Sequence, residues 1–367
     1  MKPLVAGVIG AGAISDAYLA NLTGQFKDII FVKSIAATSI ASASRKAEKY
    51  NLLPCLADDL LNDPEIEMVI ILTPVGTHHA LIKQALLAGK HVYTEKTIAV
   101  ESSEAKELLL LAKEKGLYLG SAPDTFLGSS LQTAAHAIDE GLIGQIHSFS
   151  IAITRNNDVL TSMFPFLRLK GAGILRDYVV YYLTSLCALL GPAETTACFL
   201  STPYPKRTCI LPNARDFGQE IETPNEAIAT AIIKLKNGIT GTLSDNSETN
   251  LVDRADFAIY GTKGTLLIGC ANNFGDPVRF IKAMPEDYAK PQEPEILPSK
   301  NTYRENCRGL GAAEMALAIR KQKPLRASGN LALHVLEILE AMERSSANNT
   351  FEKIESTFEI PERFIAL

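Results

Sequence analysis

Leu4-Val5-Ala6-Gly7-Val8-Ile9-Gly10-Ala11-Gly12-Ala13-Ile14-Ser15 is an apolar run that breaks at two glycines and passes directly into a helical pattern. A strand-to-helix turn of this kind is where a dinucleotide pyrophosphate meets a polypeptide. The first glycine permits a tight turn, the second lets phosphate approach the backbone, and the first helical turn offers unpaired N–H groups. Gly10 and Gly12 take those two roles, with Ala13 and Ile14 entering the helix. Ser15 stands in the third glycine's place and is small enough for close helix–strand packing.

Working outward, short β-branched runs alternate with helical patterns as far as residue 122, which predicts βαβ units and a parallel sheet. Strands are expected over 4–9, 31–37, 68–72, 91–95 and 118–121. Helices are expected over 43–50, 79–88 and 102–115, with Ser102 or Ser103 as an N-cap and Gly89 and Gly116 closing their helices. Beyond Pro123 a helix over 127–140 is followed by closely spaced strands at 147–154, 226–236, 239–247, 257–261 and 265–270. Helical cover is expected from 178–190, 312–321 and 331–346, and the proline-rich stretch 285–298 reads as a surface excursion. The fold class is therefore α/β: an N-terminal Rossmann domain, 1–122, and a C-terminal α+β domain, 123–367, on a large, mostly antiparallel open sheet.

A chain of 367 residues has ample apolar surface for two cores. Its net charge of -5, with both signs interspersed, argues against nucleic acid as a partner. The six cysteines show no C-x-x-C pair and no histidines at ligand spacing, so reduced thiols and no metal site are expected. Apolar runs fall far short of the ~20 residues that span a bilayer, and the N-terminus has no signal-peptide pattern, so no membrane role and a cytoplasmic location are expected.

At the end of the second strand an NAD-type fold usually carries an acid for the adenosine ribose. Here Thr38, Ser39 and Arg45 replace it, and no acid precedes Glu48. Hydroxyls and a guanidinium suit a 2′-phosphate, which favours NADP and leaves NAD possible. Thr73 and Pro74 follow the 68–72 strand and would line the cofactor, and His78 is either a ligand of the nicotinamide ribose or a helix-start residue. Glu95-Lys96 ends a later strand, where a lysine would lie beside the reactive end of the dinucleotide. Further on, Asp177 and Tyr181 stand at i and i+4 of an expected helix starting near Asp177, so either carboxylate and phenol point together or Asp177 caps and Tyr181 packs. Tyr182, off that face, reads as core.

These segments, with Gly89-Lys90-His91-Val92, Gly141-Leu142-Ile143-Gly144 and Tyr260-Gly261-Thr262-Lys263-Gly264, resemble the Gfo/Idh/MocA oxidoreductases along nearly the whole chain. The resemblance implies reversible hydride transfer between a nicotinamide cofactor and a secondary alcohol of a sugar, polyol or diol. It also implies Lys96, Asp177 and Tyr181 as the catalytic group, Glu95 beside the cofactor, and a homodimer or homotetramer paired through open sheet faces. Tyr181 stands where the family usually has histidine, as in the glucose-fructose oxidoreductase and dihydrodiol dehydrogenase branches. An unperturbed phenol, pKa ~10, is ~0.1% ionised at neutral pH, so a neighbouring ammonium such as Lys96 would be needed to make it a base. Thr97 replaces the proline that commonly follows the Glu-Lys pair, and Val179 replaces a glycine. Asp124, Arg155, Arg168 and Arg308 are candidate substrate contacts or solvated loop residues. A second reading is a catalytically inactive dinucleotide-binding regulator with the same fold.

Overall fold

Alternating β-branched and helical segments build the first sheet as the pattern dictates. The computed structural model describes residues 2–169, 171–251, 253–284 and 292–367. Its first elements are β1 (Leu4–Ile9), α1 (Ala13–Leu22), β2 (Ile30–Ala36), α2 (Ile40–Tyr50), β3 (Leu53–Cys55), α3 (Ala57–Asn62) and β4 (Met68–Ile71). There follow α4 (His78–Leu87), β5 (His91–Thr94), α5 (Ser102–Lys115) and β6 (Leu119–Ser121). The six strands form a parallel sheet in the order β3-β2-β1-β4-β5-β6. Side chains such as Ile9, Ile71, Val92, Leu86 and Leu108 are buried against one another, and with Leu336 they form one apolar cluster. Gly116 closes α5 in the left-handed conformation, as expected. The N-cap of that helix is Glu101 rather than Ser102 or Ser103: its carboxylate and that of Glu104 form a reciprocal capping box.

The remaining elements begin with α6 (Ser129–Asp139), β7 (Ile146–Thr154), α7 (Asn157–Met163), α8 (Val180–Leu190), β8 (Ala193–Ser201), β9 (Lys206–Thr208) and β10 (Glu220–Glu222). They continue with β11 (Ile228–Leu235), β12 (Thr240–Asn246), β13 (Arg254–Gly261), β14 (Gly264–Ile268), β15 (Arg279–Lys282) and β16 (Glu295–Ile296). Last come α9 (Leu310–Lys321), α10 (Gly329–Asn348) and β17 (Glu352–Lys353). Nine strands pair in the order β16-β15-β14-β13-β7-β12-β11-β8-β17, antiparallel throughout except β12 with β7. Along β11 buried Ala229, Ala231, Ile233 and Leu235 alternate with residues facing away, the pattern of a sheet covered on one face. Within the proline-rich stretch, 285–291 lies outside the described residues, while Glu295–Ile296 adds an edge strand to β15.

The described chain divides into a first unit, Met1–Gly128 with Asn301–Leu336 and Pro361–Leu367, and a second, Ser129–Lys300 with Glu337–Ile360. Residues 301–336 and 361–367, which the sequence reading put in the second domain, therefore belong with the first. Asp124 shows how α9 is held there: its Oδ2 accepts the N–H groups of Gly309 and Gly311, each at 3.0 Å.

Candidate active site

In the first unit, the chain leaves β1 with Gly10 at φ +120°. A Cβ there would lie 2.7 Å from the Leu72 carbonyl, so both conformation and space require glycine. At Gly12, the N-cap of α1, a Cβ would meet nothing within 4 Å, and no side chain caps the helix. That opening, with free helix N–H groups around it, fits the pyrophosphate of a dinucleotide. Ser15 is buried and its hydroxyl donates to Gly12 O at 2.7 Å, which fixes the turn.

The exposed residues after β2 carry the expected polar set. Ser39 is the N-cap of α2, its hydroxyl accepting from the Ser42 N–H, and Arg45 Nη2 lies 3.2 Å from Ser42 Oγ one turn along. Thr38 is exposed immediately before them. Lys46, the residue after Arg45, is half-buried and engaged elsewhere, in an ion pair with Asp16.

Pro74 opens a short turn, Val75–Thr77, in which Thr77 Oγ1 donates to Thr73 Oγ1 at 2.7 Å. His78 begins α4 and is fully buried, with Nε2 2.8 Å from Thr73 O and Nδ1 2.8 Å from Thr97 O. Of the two roles open to it, the structure gives it that of helix-start residue. Both ring nitrogens face carbonyls, so it braces the Thr73 loop against the segment after Lys96, and burial holds its pKa below the usual imidazole value.

Glu95 follows β5, buried, with Oε1 accepting from Tyr18 Oη at 2.7 Å and Oε2 from the Lys96 N–H at 3.0 Å. Lys96 thus lies at the carboxyl end of the sheet that also presents Gly10 and Gly12. The Lys96–Thr97 peptide is cis, with threonine in the place of proline. Asp124 and Arg308 come together about the start of α9, where Arg308 Nη1 donates to Asn306 Oδ1 at 2.9 Å. Burial raises the Asp124 pKa to about 6, against the lowering effect of the Gly311 N–H. Expected among substrate contacts, Asp124 is a helix-terminus anchor, because its carboxylate is enclosed and satisfied by backbone donors.

In the second unit, helical backbone begins with a π turn, Leu175–Val179, ahead of α8. The helix therefore starts before Asp177, which is not its cap; the Leu175 N–H is met instead by Glu226 Oε1 at 3.1 Å. Turns of this wide kind are frequent at functional sites. Tyr181 is 8% exposed, with its ring centroid 6.2 Å from that of Tyr178, and Val179 is wholly buried. Tyr182 is core, as expected, donating to Cys270 Sγ at 3.4 Å.

Arg155 leaves the end of β7 and lies over the Tyr178 ring, 3.7 Å from its centroid, with Asp177 Oδ2 at 3.7 Å and Asp253 Oδ2 at 3.5 Å. Two sequence candidates, Arg155 and Asp177, are thus brought together. Arg168 is not: it pairs with Asp216 and donates to Thr161 O at 2.8 Å. Sequence reasoning missed Glu226 and Asn225. The Asn225 amide holds the turn before the helix through Leu167 O, Leu169 O and the Gly171 N–H. Their only sequence signal is two polar residues ahead of a strand.

Residues 4–122 match the model for the oxidoreductase family with an NAD-binding Rossmann fold, and residues 131–267 match the GFO/IDH/MocA C-terminal domain. The chain belongs to the Gfo/Idh/MocA oxidoreductases, and it is an NAD-binding member by family. Among curated relatives, the uncharacterized oxidoreductase sll0816 of Synechocystis is 28% identical across 72% of this chain and 70% of its own. The uncharacterized oxidoreductase C26H5.09c of Schizosaccharomyces pombe is 30% identical over 54% of each, so this chain spans about half the length of that relative. Of solved structures, levoglucosan dehydrogenase in complex with NADH and L-sorbose superposes with TM-score 0.82 at 21% identity, covering 97% of this chain and all of the other. The WlbA dehydrogenase of Bordetella pertussis, in complex with NADH and UDP-GlcNAcA, gives 0.76 at 19% over 96% and 99%. At these identities the structural likeness establishes the fold.

Proposed function

We propose that this protein is an NADP-preferring dehydrogenase that oxidises a secondary alcohol of a sugar, polyol or diol. The observation that carries the reading is the open cradle over Gly12 in the same sheet that ends in Glu95-Lys96. Gly10, Gly12, Ala13 and Ile14 would hold the pyrophosphate, Thr38, Ser39 and Arg45 the adenosine end, and Thr73, Pro74 and Glu95 the reactive half. The nicotinamide ring, when bound, supplies the hydride acceptor. Lys96 polarises the substrate oxygen and favours phenolate, Tyr181 takes the hydroxyl proton, and Asp177 orients the hydroxyl. The dehydrogenase neighbours, one of them holding L-sorbose, support a polyhydroxylated substrate.

We also propose that two or four copies pair through the uncovered sheet face, where Phe199 and Ile232 are exposed. Fluorescence titration with NADP and NAD, followed by nicotinamide absorbance against a panel of sugars, polyols and diols, tests the reaction. Tight dinucleotide binding with no turnover on any member favours the inactive regulator instead. Light scattering tests the pairing.

A further inference from the structure

Beside Asp177 the second unit encloses a narrow cavity whose polar lining includes Arg155, Asn157, Thr161, Asp177, Asn225 and Glu226. Arg155 is its one cation among the described residues, and it is already engaged by Asp177 and by Asp253. A further acid, Asp245, is wholly buried in electrostatic range of the same groups; burial raises its pKa to about 7, and its Oδ2 makes no hydrogen bond among the described residues. One guanidinium therefore answers to Asp177 and Asp253, with Asp245 in range, before any substrate arrives, and Glu226 adds a further acid to the cavity lining. The neighbouring arginines are committed in the same way: Arg168 to Asp216, Arg176 to Glu343, and Arg207 to Asp158 and Glu248.

We infer, resting on the proposed reaction, that the substrate accepted beside Asp177 is an uncharged sugar or polyol, and that the carboxylate excess around Arg155 turns away uronates. A substrate carboxylate would have to displace Asp177 or Asp253 from Arg155 and leave it beside like charges, which an interface penalises heavily. A hydroxyl needs no such exchange. It donates to a carboxylate and accepts from the Asn157 amide, which lines the same cavity. The fold itself does not impose the choice, since the WlbA structure contains UDP-GlcNAcA, a uronate.

The test uses matched pairs that differ in one carboxylate: D-glucose with D-glucuronate, and D-galactose with D-galacturonate. Oxidation is measured with NADP and with NAD, and binding by saturation-transfer NMR. Where either pair is oxidised, kcat/KM for the neutral member should exceed that for its uronate at least ~10-fold. Asp253→Asn, at a side chain that is half exposed, releases Arg155 from one partner and should narrow the ratio at least ~3-fold. Equal or better oxidation of the uronate overturns the inference and leaves the dehydrogenase reading standing. If none of the four is oxidised, the dehydrogenase reading is decided by the wider panel of sugars, polyols and diols, and binding decides the inference alone: stronger saturation of the neutral sugars supports it, whereas equal or stronger saturation of the uronates, or none of either, overturns it.

Discussion

The Tyr18 hydroxyl donates to Glu95 Oε1 at 2.7 Å across 77 residues of sequence, and so ties the first helix to the residue that precedes Lys96. Both groups are buried, and burial with the adjacent carboxylate holds the Tyr18 pKa well above an ordinary phenol, so the proton stays on tyrosine. Tyr18→Phe leaves a buried carboxylate oxygen without its donor, at a cost of ~1–3 kcal/mol. Urea unfolding should show a lower midpoint with unchanged slope. An unchanged midpoint would mean that Glu95 finds another partner.

The two glycines of the first turn should fail differently. Gly12→Val places a branched side chain in open space, so the protein folds with near-wild-type stability and loses dinucleotide binding. Gly10→Ala forces a Cβ against the Leu72 carbonyl at positive φ, and should lose stability by ~1 kcal/mol or more. Circular-dichroism melts alongside cofactor titration separate the two; near-normal NADP affinity in folded Gly12→Val removes the basis of the proposed site.

Arg45 offers an exposed guanidinium whose hydrogen bond is to a hydroxyl, Ser42 Oγ. Arg45→Ala should weaken NADP binding by ~10-fold or more, the loss of one charge-assisted contact, and leave NAD within ~2-fold. Equal loss for both dinucleotides, or wild-type protein that prefers NAD, would show that the missing acid after β2 had been overread.

The first sheet was legible because its signals are local. The run 4–9 and the helix 102–115 lie where the sequence puts them, and each ends at a glycine of positive φ, Gly10 and Gly116. The cap of that second helix was misplaced by one residue, since a glutamate here does what serine more often does. β8 was not read at all: Ala193–Ser201 mixes small and polar side chains on both faces, so the period-two signal is faint. The return of residues 301–336 to the first unit was invisible because it rests on distant pairings such as Asp124 with Gly309 and Gly311. Long-range partners likewise decided Arg168, which reads as a solvated loop cation until Asp216 is placed beside it.

Burial that raises Asp124 to about 6 makes stability depend on pH in a defined direction. A carboxyl with a folded pKa above its unfolded value binds its proton more tightly when folded. Its contribution is fully present below the unfolded pKa near 3.8 and is lost as pH rises through about 6. The loss is on the order of 3 kcal/mol across that window, by the conversion of pKa shift into free energy. Asp124→Asn removes this titration, so its stability relative to wild type should rise between those two pH values in chemical denaturation. A parallel pH dependence in both proteins would assign the effect to other groups.

Tyr181 gives the most direct test of the chemistry, because a phenol and the family's usual histidine imply different pH behaviour for one proton transfer. With tyrosine as base, oxidation should rise with pH to a limb above the ~6.5 of a free imidazole. Tyr181→Phe should abolish turnover and leave NADP binding intact, and Lys96→Ala should cost at least ~100-fold in kcat while the protein stays folded. Tyr181→His, if it turns over, should do so with its limb shifted down towards that of imidazole. Wild-type rate and pH profile in Tyr181→Phe on a verified substrate would leave Tyr181 as a packing partner of Tyr178 and move the search for the base to Asp177, the carboxylate beside Arg155.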